Sequence, residues 1–255
     1  MNLVELLIST EGLALVFVVI FVGVMIIFAF AGRNRPGQNL REVAAFTRLG
    51  QAIGLAVEAG RRLHISLGWG GVVGIPGASG LLGLSVAERI ARFASISDRP
   101  PVVTSGEGSL GILSQDTLSS TYRTIGEDRQ YDSSQGRVSG LTPFSYTAGT
   151  LPIIYDEQVS ATILTGHFGS EAALIADASE RSDGLTLAGS DSIPAQAVFV
   201  AAAQEPLIGE ELYAAGAYLN AGPVYASSLR AQDIFRWVLI ASIVVGGVLK
   251  LVGLL

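Results

Sequence analysis

The chain has 255 residues, of which 49% are apolar and only 15% charged, with a net charge of −6. A soluble domain carries about 25% charge and a disordered chain carries more with less apolar content, so the composition points to a membrane protein and excludes disorder. Cysteine is absent, which rules out a disulfide framework, thiolate metal ligation and a cysteine nucleophile.

The first apolar run extends from Gly12 to Gly32 without a charge or a proline. At ~1.5 Å rise per residue a helix of that length covers roughly 30 Å, the thickness of the hydrocarbon core. Ala29-Phe30-Ala31 has the form of a signal cleavage site. The segment ahead of the run, however, carries Glu5 and Glu11 and no base, and Arg33 and Arg35 follow it. That charge pattern is wrong for a signal peptide and right for an uncleaved anchor. A second apolar run goes from Trp237 to Leu255, and its single charge, Lys250, lies close enough to the end to snorkel. Arg33, Arg35, Arg41 and Arg48 follow the first run, and Arg230 and Arg236 precede the second. The positive-inside rule therefore places both termini outside and the region between the runs in the cytoplasm. The expected organisation is an N-terminal transmembrane anchor over 1–35, a cytoplasmic domain over 36–229 and a C-terminal transmembrane helix over 230–255.

Residues 49–229 hold nine Arg against 18 Asp and Glu. An acidic body on a basic collar suits a lipid bilayer with anionic headgroups at the collar. It argues against a nucleic-acid partner, which needs a basic face.

From Asn39 to Arg62 apolar residues recur at helical spacing, with Pro36-Gly37 separating this helix from the first span. Four short apolar runs then end in glycine: His64–Gly68, Val102–Gly106, Thr162–Gly166 and Leu185–Gly189. Helical patterns over Leu81–Ala94, Ser109–Ile125 and Ser170–Ser182 follow the first three. The fourth leads through Pro194 into Ala195–Ala203, which suits strand or helix. Apolar strand, glycine turn and amphipathic helix make a βα unit, and its repetition predicts an α/β fold. The sheet is then largely parallel with flanking helices, Rossmann-like in architecture and bracketed by the two transmembrane helices. Ser109 and Ser170 are the expected N-caps of their helices. Glu127–Gly140 reads as an exposed excursion, Pro143–Tyr155 as an edge strand, and Ile208–Asn220 as a helix ended by Gly222-Pro223.

Gly68, Gly71, Gly74, Gly77, Gly80 and Gly83 fall at a strict period of three. Too few triplets and too little proline exclude collagen. A close-packed turn into the next helix is the favoured reading, with protein-covered re-entry into the membrane or a subunit or ligand contact as alternatives.

Two turns are candidate binding sites. Gly106-Glu107-Gly108-Ser109-Leu110-Gly111 matches G-x-G-x-x-G between a strand and a helix, where backbone amides hold phosphate. Glu107 would repel a pyrophosphate, and in a chain with 31 glycines the match also suits a plain turn. Gly166-His167-Phe168-Gly169-Ser170-Glu171 lies at another strand end, where open α/β sheets place ligands; the alternative is a structural turn with Phe168 packed inward. No catalytic set emerges: no G-x-S-x-G, no H-E-x-x-H and no Walker lysine. Nothing points to a cofactor or to a metal, since two histidines without cysteine make no standard zinc site. His64, within a strand, reads as a core histidine.

Ser97–Gly108, Ala161–Ile175 and Pro206–Leu219 resemble an uncharacterised family of bacterial membrane proteins defined by a domain of unknown function. The resemblance covers most of the region between the spans and implies a bacterial cytoplasmic membrane, with no activity and no site residues. Three functional readings follow. The first is a non-enzymatic, membrane-anchored interaction or scaffold protein that forms homo-oligomers. The second is a membrane-bound enzyme or sensor for a nucleotide or other anionic small molecule. The third is an accessory subunit packed on other membrane subunits.

Overall fold

The structure, a computed structural model, describes residues 10–31, 41–74 and 76–252. Glu5, Arg33, Arg35, the Pro36-Gly37 break and the Asn39-Leu40 start of the helix expected over Asn39–Arg62 lie outside the described residues. In chain order the elements are α1 (Thr10–Ala31), α2 (Ala44–Glu58), β1 (Arg62–Gly68), α3 (Gly77–Phe93), β2 (Val102–Ser105), α4 (Gly108–Ile125), β3 (Gly136–Val138) and α5 (Pro143–Asp156). They continue with β4 (Val159–His167), α6 (Ala173–Arg181), β5 (Leu185–Ser190), α7 (Ile193–Ala202), β6 (Glu205–Leu207), α8 (Glu211–Tyr218) and α9 (Pro223–Leu251).

Residues Arg41–Ala221 form one compact unit. Among the described residues its six strands pair in the order β3-β2-β1-β4-β5-β6, every pair parallel. The α/β expectation is thus met. Parallel strands are covered on both faces, so their apolar runs are continuous. On one face Leu63, Ile65, Leu67, Val103, Ile163 and Leu187 meet the apolar sides of α2 and α3, including Leu49, Ile53 and Ile90. On the other, Leu164 and Ala188 meet Tyr146, Ile154, Ile175 and Phe199 from α5, α6 and α7.

Four local expectations differ. Pro143–Tyr155 is helix α5, not an edge strand. Thr142 and Ser145 form a capping box and Pro143 occupies the first turn, so the chain is set into a helix before any strand can pair. The Glu127–Gly140 excursion contains two 3₁₀ turns, Asp128–Gln130 and Ser133–Gln135, and then the edge strand β3. Side-chain amides hold it: Gln135 donates to the Gln130 carbonyl (2.7 Å) and Gln115 to the Gly136 carbonyl (2.9 Å). Strand β6 was not expected, because proline interrupts it; Pro206 is tolerated there since β6 is an edge. The helix expected from Ile208 consequently starts later, at Glu211. The segment after Pro194, left open by the sequence, is helix α7.

The second unit holds α1 and α9, both long and apolar enough to cross a membrane. Phe17 and Phe21 pack on Phe235, with ring centroids 5.1 and 5.5 Å apart. Phe21 and Phe17 precede the end of α1 by 10 and 14 residues, and Phe235 follows the start of α9 by 12.

In the sheet, His64 is fully buried as expected. Its Nε2 lies 2.9 Å from the Thr104 hydroxyl, which also meets the Tyr146 hydroxyl at 3.0 Å. Its Nδ1 has no partner among the described residues. Burial, with Arg137 adding to it, lowers its pKa to about 3. The unfolded chain then takes up a proton below pH ~6.5 that the folded chain refuses, so stability falls as pH drops from there towards 3. Between pH 8 and 5 the loss is expected to be about 2 kcal/mol, approaching 1.36 kcal/mol per pH unit only well below pH ~6.5. Thermal melts of wild type and His64→Asn over pH 5–8 check this: the wild-type midpoint should drop at the acid end and the variant's should not.

Candidate functional site

The strand order reverses between β1 and β4, and in open α/β sheets ligands enter the crevice beyond the carboxyl ends of such strands. Here the backbone closes that crevice. Pairing continues past the strand ends, with the Trp69 amide donating to the His167 carbonyl (3.1 Å) and the Gly106 amide to the Gly68 carbonyl (2.7 Å). A Cβ on Gly68 would overlap the His167 carbonyl, and one on Gly166 would overlap the Leu67 carbonyl. Gly68 also has φ +72°, a left-handed conformation that favours glycine. On α3 a Cβ at Gly83 would come within 2.6 Å of the Thr165 carbonyl. Of the period-three glycines, Gly68, Gly77, Gly80 and Gly83 are closely packed, while Gly71 and Gly74 have only ordinary contacts.

Trp69, which the sequence reading passed over, occupies the junction. Its indole N–H donates to Glu171 Oε1 at 2.8 Å, and its ring meets the His167 ring edge-on at 4.8 Å. Its Cβ lies 2.6 Å from where a Gly106 side chain would begin. Both candidate turns thus abut one residue. At the first, Gly106 to Ser109 closes β2, one strand away from the reversal. Glu107 rather than Ser109 is the N-cap of α4: its carboxylate accepts the Leu110 amide (3.0 Å) and the Ser109 hydroxyl. The Ser109 bond is the main reason its pKa lies below the usual carboxylate value. Gly108 faces open space.

At the second turn His167 ends β4, and its Nδ1 lies 2.7 Å from Asp191 just beyond β5. Asp191 also accepts the Ser79 hydroxyl at 3.0 Å. Ser170 does not cap a helix; it begins a 3₁₀ turn, Ser170–Ala172, that leads into α6. Glu171 Oε1 accepts the Gly169 amide at 2.9 Å beside the Trp69 indole. Phe168 is packed inward against Phe199. Asp191 and Ser79 were not singled out by the sequence. Asp191 had a signal, since it follows the fourth strand-glycine run by two residues as Glu107 does not quite follow the second.

The segments linking each strand to the first turn of the next helix carry five carboxylates, Glu107, Glu171, Asp191, Glu210 and Glu211, and no Lys or Arg. Arg41 reaches Glu211 at 2.7 Å, while Glu107, Glu171 and Asp191 meet no arginine among the described residues. At each candidate turn an amide that could meet a phosphate, that of Leu110 or of Gly169, is engaged by the chain's own carboxylate. His167 and Asp191 could pass a proton; the Ser79 hydroxyl meets Asp191 and the Pro76 carbonyl rather than His167, so Ser79 is not placed as a nucleophile for the pair. Among the described residues no three His, Cys, Asp or Glu side chains gather as a metal site. A cleft at the opposite, amino edge is lined by Arg61, Tyr155, Gln158 and Ser182, and the Arg61 guanidinium there donates to the Val159 and Ser182 carbonyls.

Residues 5–255 match a family described as a domain of unknown function (DUF6754), and the chain belongs to that family. No curated protein and no solved structure matches it.

The glycine junction gives a direct expectation. Gly166→Ala places a methyl group on the Leu67 carbonyl and should cost about 3 kcal/mol or more, because backbone cannot yield as a flexible side chain can. Gly54→Ala, where nothing lies within 4 Å, should be neutral or slightly stabilising in helix α2. Thermal midpoints of the two variants compare them.

Proposed function

We propose that this family member is a membrane-anchored, non-enzymatic interaction or scaffold protein that self-assembles at the cytoplasmic face of a bacterial membrane. The observation that carries this reading is the closed carboxyl edge. Where an α/β enzyme would expose amides and a crevice, this chain presents Trp69 packed between two turns, with carboxylates on the amides. Two apolar helices flanking the unit supply the anchor. On α9, Ser242 and Gly246 lie four residues apart on one side of the helix, and Gly246 and Gly247 have open space around them. Small residues at that spacing let helices of neighbouring copies approach closely.

The strand order, shared with dinucleotide-binding sheets, favours a second reading: a membrane-bound enzyme or sensor that binds a nucleotide or other anionic small molecule at Gly106–Ser109 and Gly166–Glu171. An anion there would have to displace Glu107 from its cap, and no base in the linking segments offsets the charge. A thermal shift with a nucleotide, lost in Gly108→Val, would favour this reading; Gly108 has the room for that change.

Native mass spectrometry of the complex extracted in mild detergent separates the readings. Self-assembly predicts a homo-oligomer that Gly246→Leu reduces in size. A monomer at high concentration contradicts it, and a different polypeptide in the complex identifies an accessory subunit instead.

A further inference from the structure

The corner of the carboxyl edge formed by β3, α4 and α5 exposes large apolar side chains. Ile112 is 70% exposed, Leu141 74%, Phe144 72% and Val138 46%. They belong to one locality. A Cβ on Gly111, the neighbour of Ile112, would overlap Val138 or nearly so; Gly140, next to Leu141, packs on the Ser145 backbone, and Gly149 of α5 on the Ser139 carbonyl. Leu141 stands just before the N-cap Thr142, where an apolar residue ordinarily packs on the helix's fourth residue as a staple. That residue, Tyr146, is fully buried, its hydroxyl among Ser66 and Thr104, while Leu141 stays in solvent. The local fold leaves these side chains unused.

Two quantities decide the occupant. The four side chains expose on the order of 500 Å², within the range of the largest apolar patch on a monomer, and short of the ~800 Å² per partner that a stable globular dimer buries. A short segment fits that area better than a second folded copy. The charge then sets its chemistry: Glu107 heads the same helix as Ile112, the exposed Asp116 follows Ile112 by one turn, and the linking segments beside this corner, after β2 and β3, carry no Lys or Arg. Anionic lipid is disfavoured by the same acids.

We infer that this corner docks a basic, amphipathic segment of a partner protein, its apolar side chains on Ile112, Leu141 and Phe144 and its cationic ones towards Glu107 and Asp116. The inference rests on reading the chain as an interaction protein but not on its self-assembly.

The test uses the full chain in neutral-lipid nanodiscs, a labelled 14-residue Leu/Lys amphipathic peptide and a Leu/Glu counterpart, with empty discs as background. The Leu/Lys peptide should bind, more weakly as salt rises. The double substitution Leu141→Ser with Phe144→Ser should weaken binding at least tenfold with the thermal midpoint unchanged, since both residues are exposed. Equal binding of the Leu/Glu peptide, or equal binding to the double variant, overturns the inference. So does a double variant whose native mass falls while wild type ignores the peptide, which would make the corner a contact between copies. A monomeric mass with intact peptide binding would remove self-assembly and leave the docking corner standing.

Discussion

At the reversal of strand order between β1 and β4, the two backbones come so close that no side chain fits between them. Gly68 lies against the His167 carbonyl, Gly166 against the Leu67 carbonyl, and Gly83 brings α3 down on the Thr165 carbonyl. Each contact is backbone on backbone, so it is a fixed distance rather than a preference. The rest of the carboxyl edge is arranged around it. With β1 and β4 drawn together, their ladder runs on through Trp69, and β2 joins through Gly106. Trp69 then has one place to go, over Gly106 and against His167, where Glu171 receives its indole.

That arrangement turns a binding fold inward. The N-terminal ends of helices are natural anion sites because several amides point out of them unpaired. In this chain Glu107 takes an amide of α4, Glu171 takes the Gly169 amide, and Asp191 takes the Ser79 hydroxyl in the first turn of α3. Several polar groups of the edge are thus engaged from within.

Much of this was legible in the residues. The central strands read directly because strands buried on both faces are short, mostly apolar runs, and three of those runs end on Gly68, Gly106 and Gly166, which pack closely beside the β1/β4 reversal. The edges did not read. β3 is three residues with Arg137 in the middle, and β6 is three residues with Pro206 in the middle. At an edge one side of the ladder is open, so charge and proline are tolerated and the apolar signature vanishes. Helix α5 was hidden for another reason: its start is specified by a capping box and its interior contains Pro152, so propensity and capping disagreed and capping prevailed. At the site, Gly106–Ser109 and Gly166–Glu171 were found by their spacing after strands, but Trp69, Ser79 and Asp191 come from three other segments. Only the strand order brings them together, and strand order is not written in any local pattern.

Amide hydrogen exchange at Trp69 and Gly106 tests the closed edge most directly. These two amides join β4 to β1 and β1 to β2 beyond the ends of the strands, and a crevice that opens to admit a ligand must break both bonds. The account predicts exchange as slow as in the centre of β1, unchanged by a panel of nucleotides and phosphometabolites. Fast exchange at both amides, or protection that appears only with one of those compounds, would contradict it.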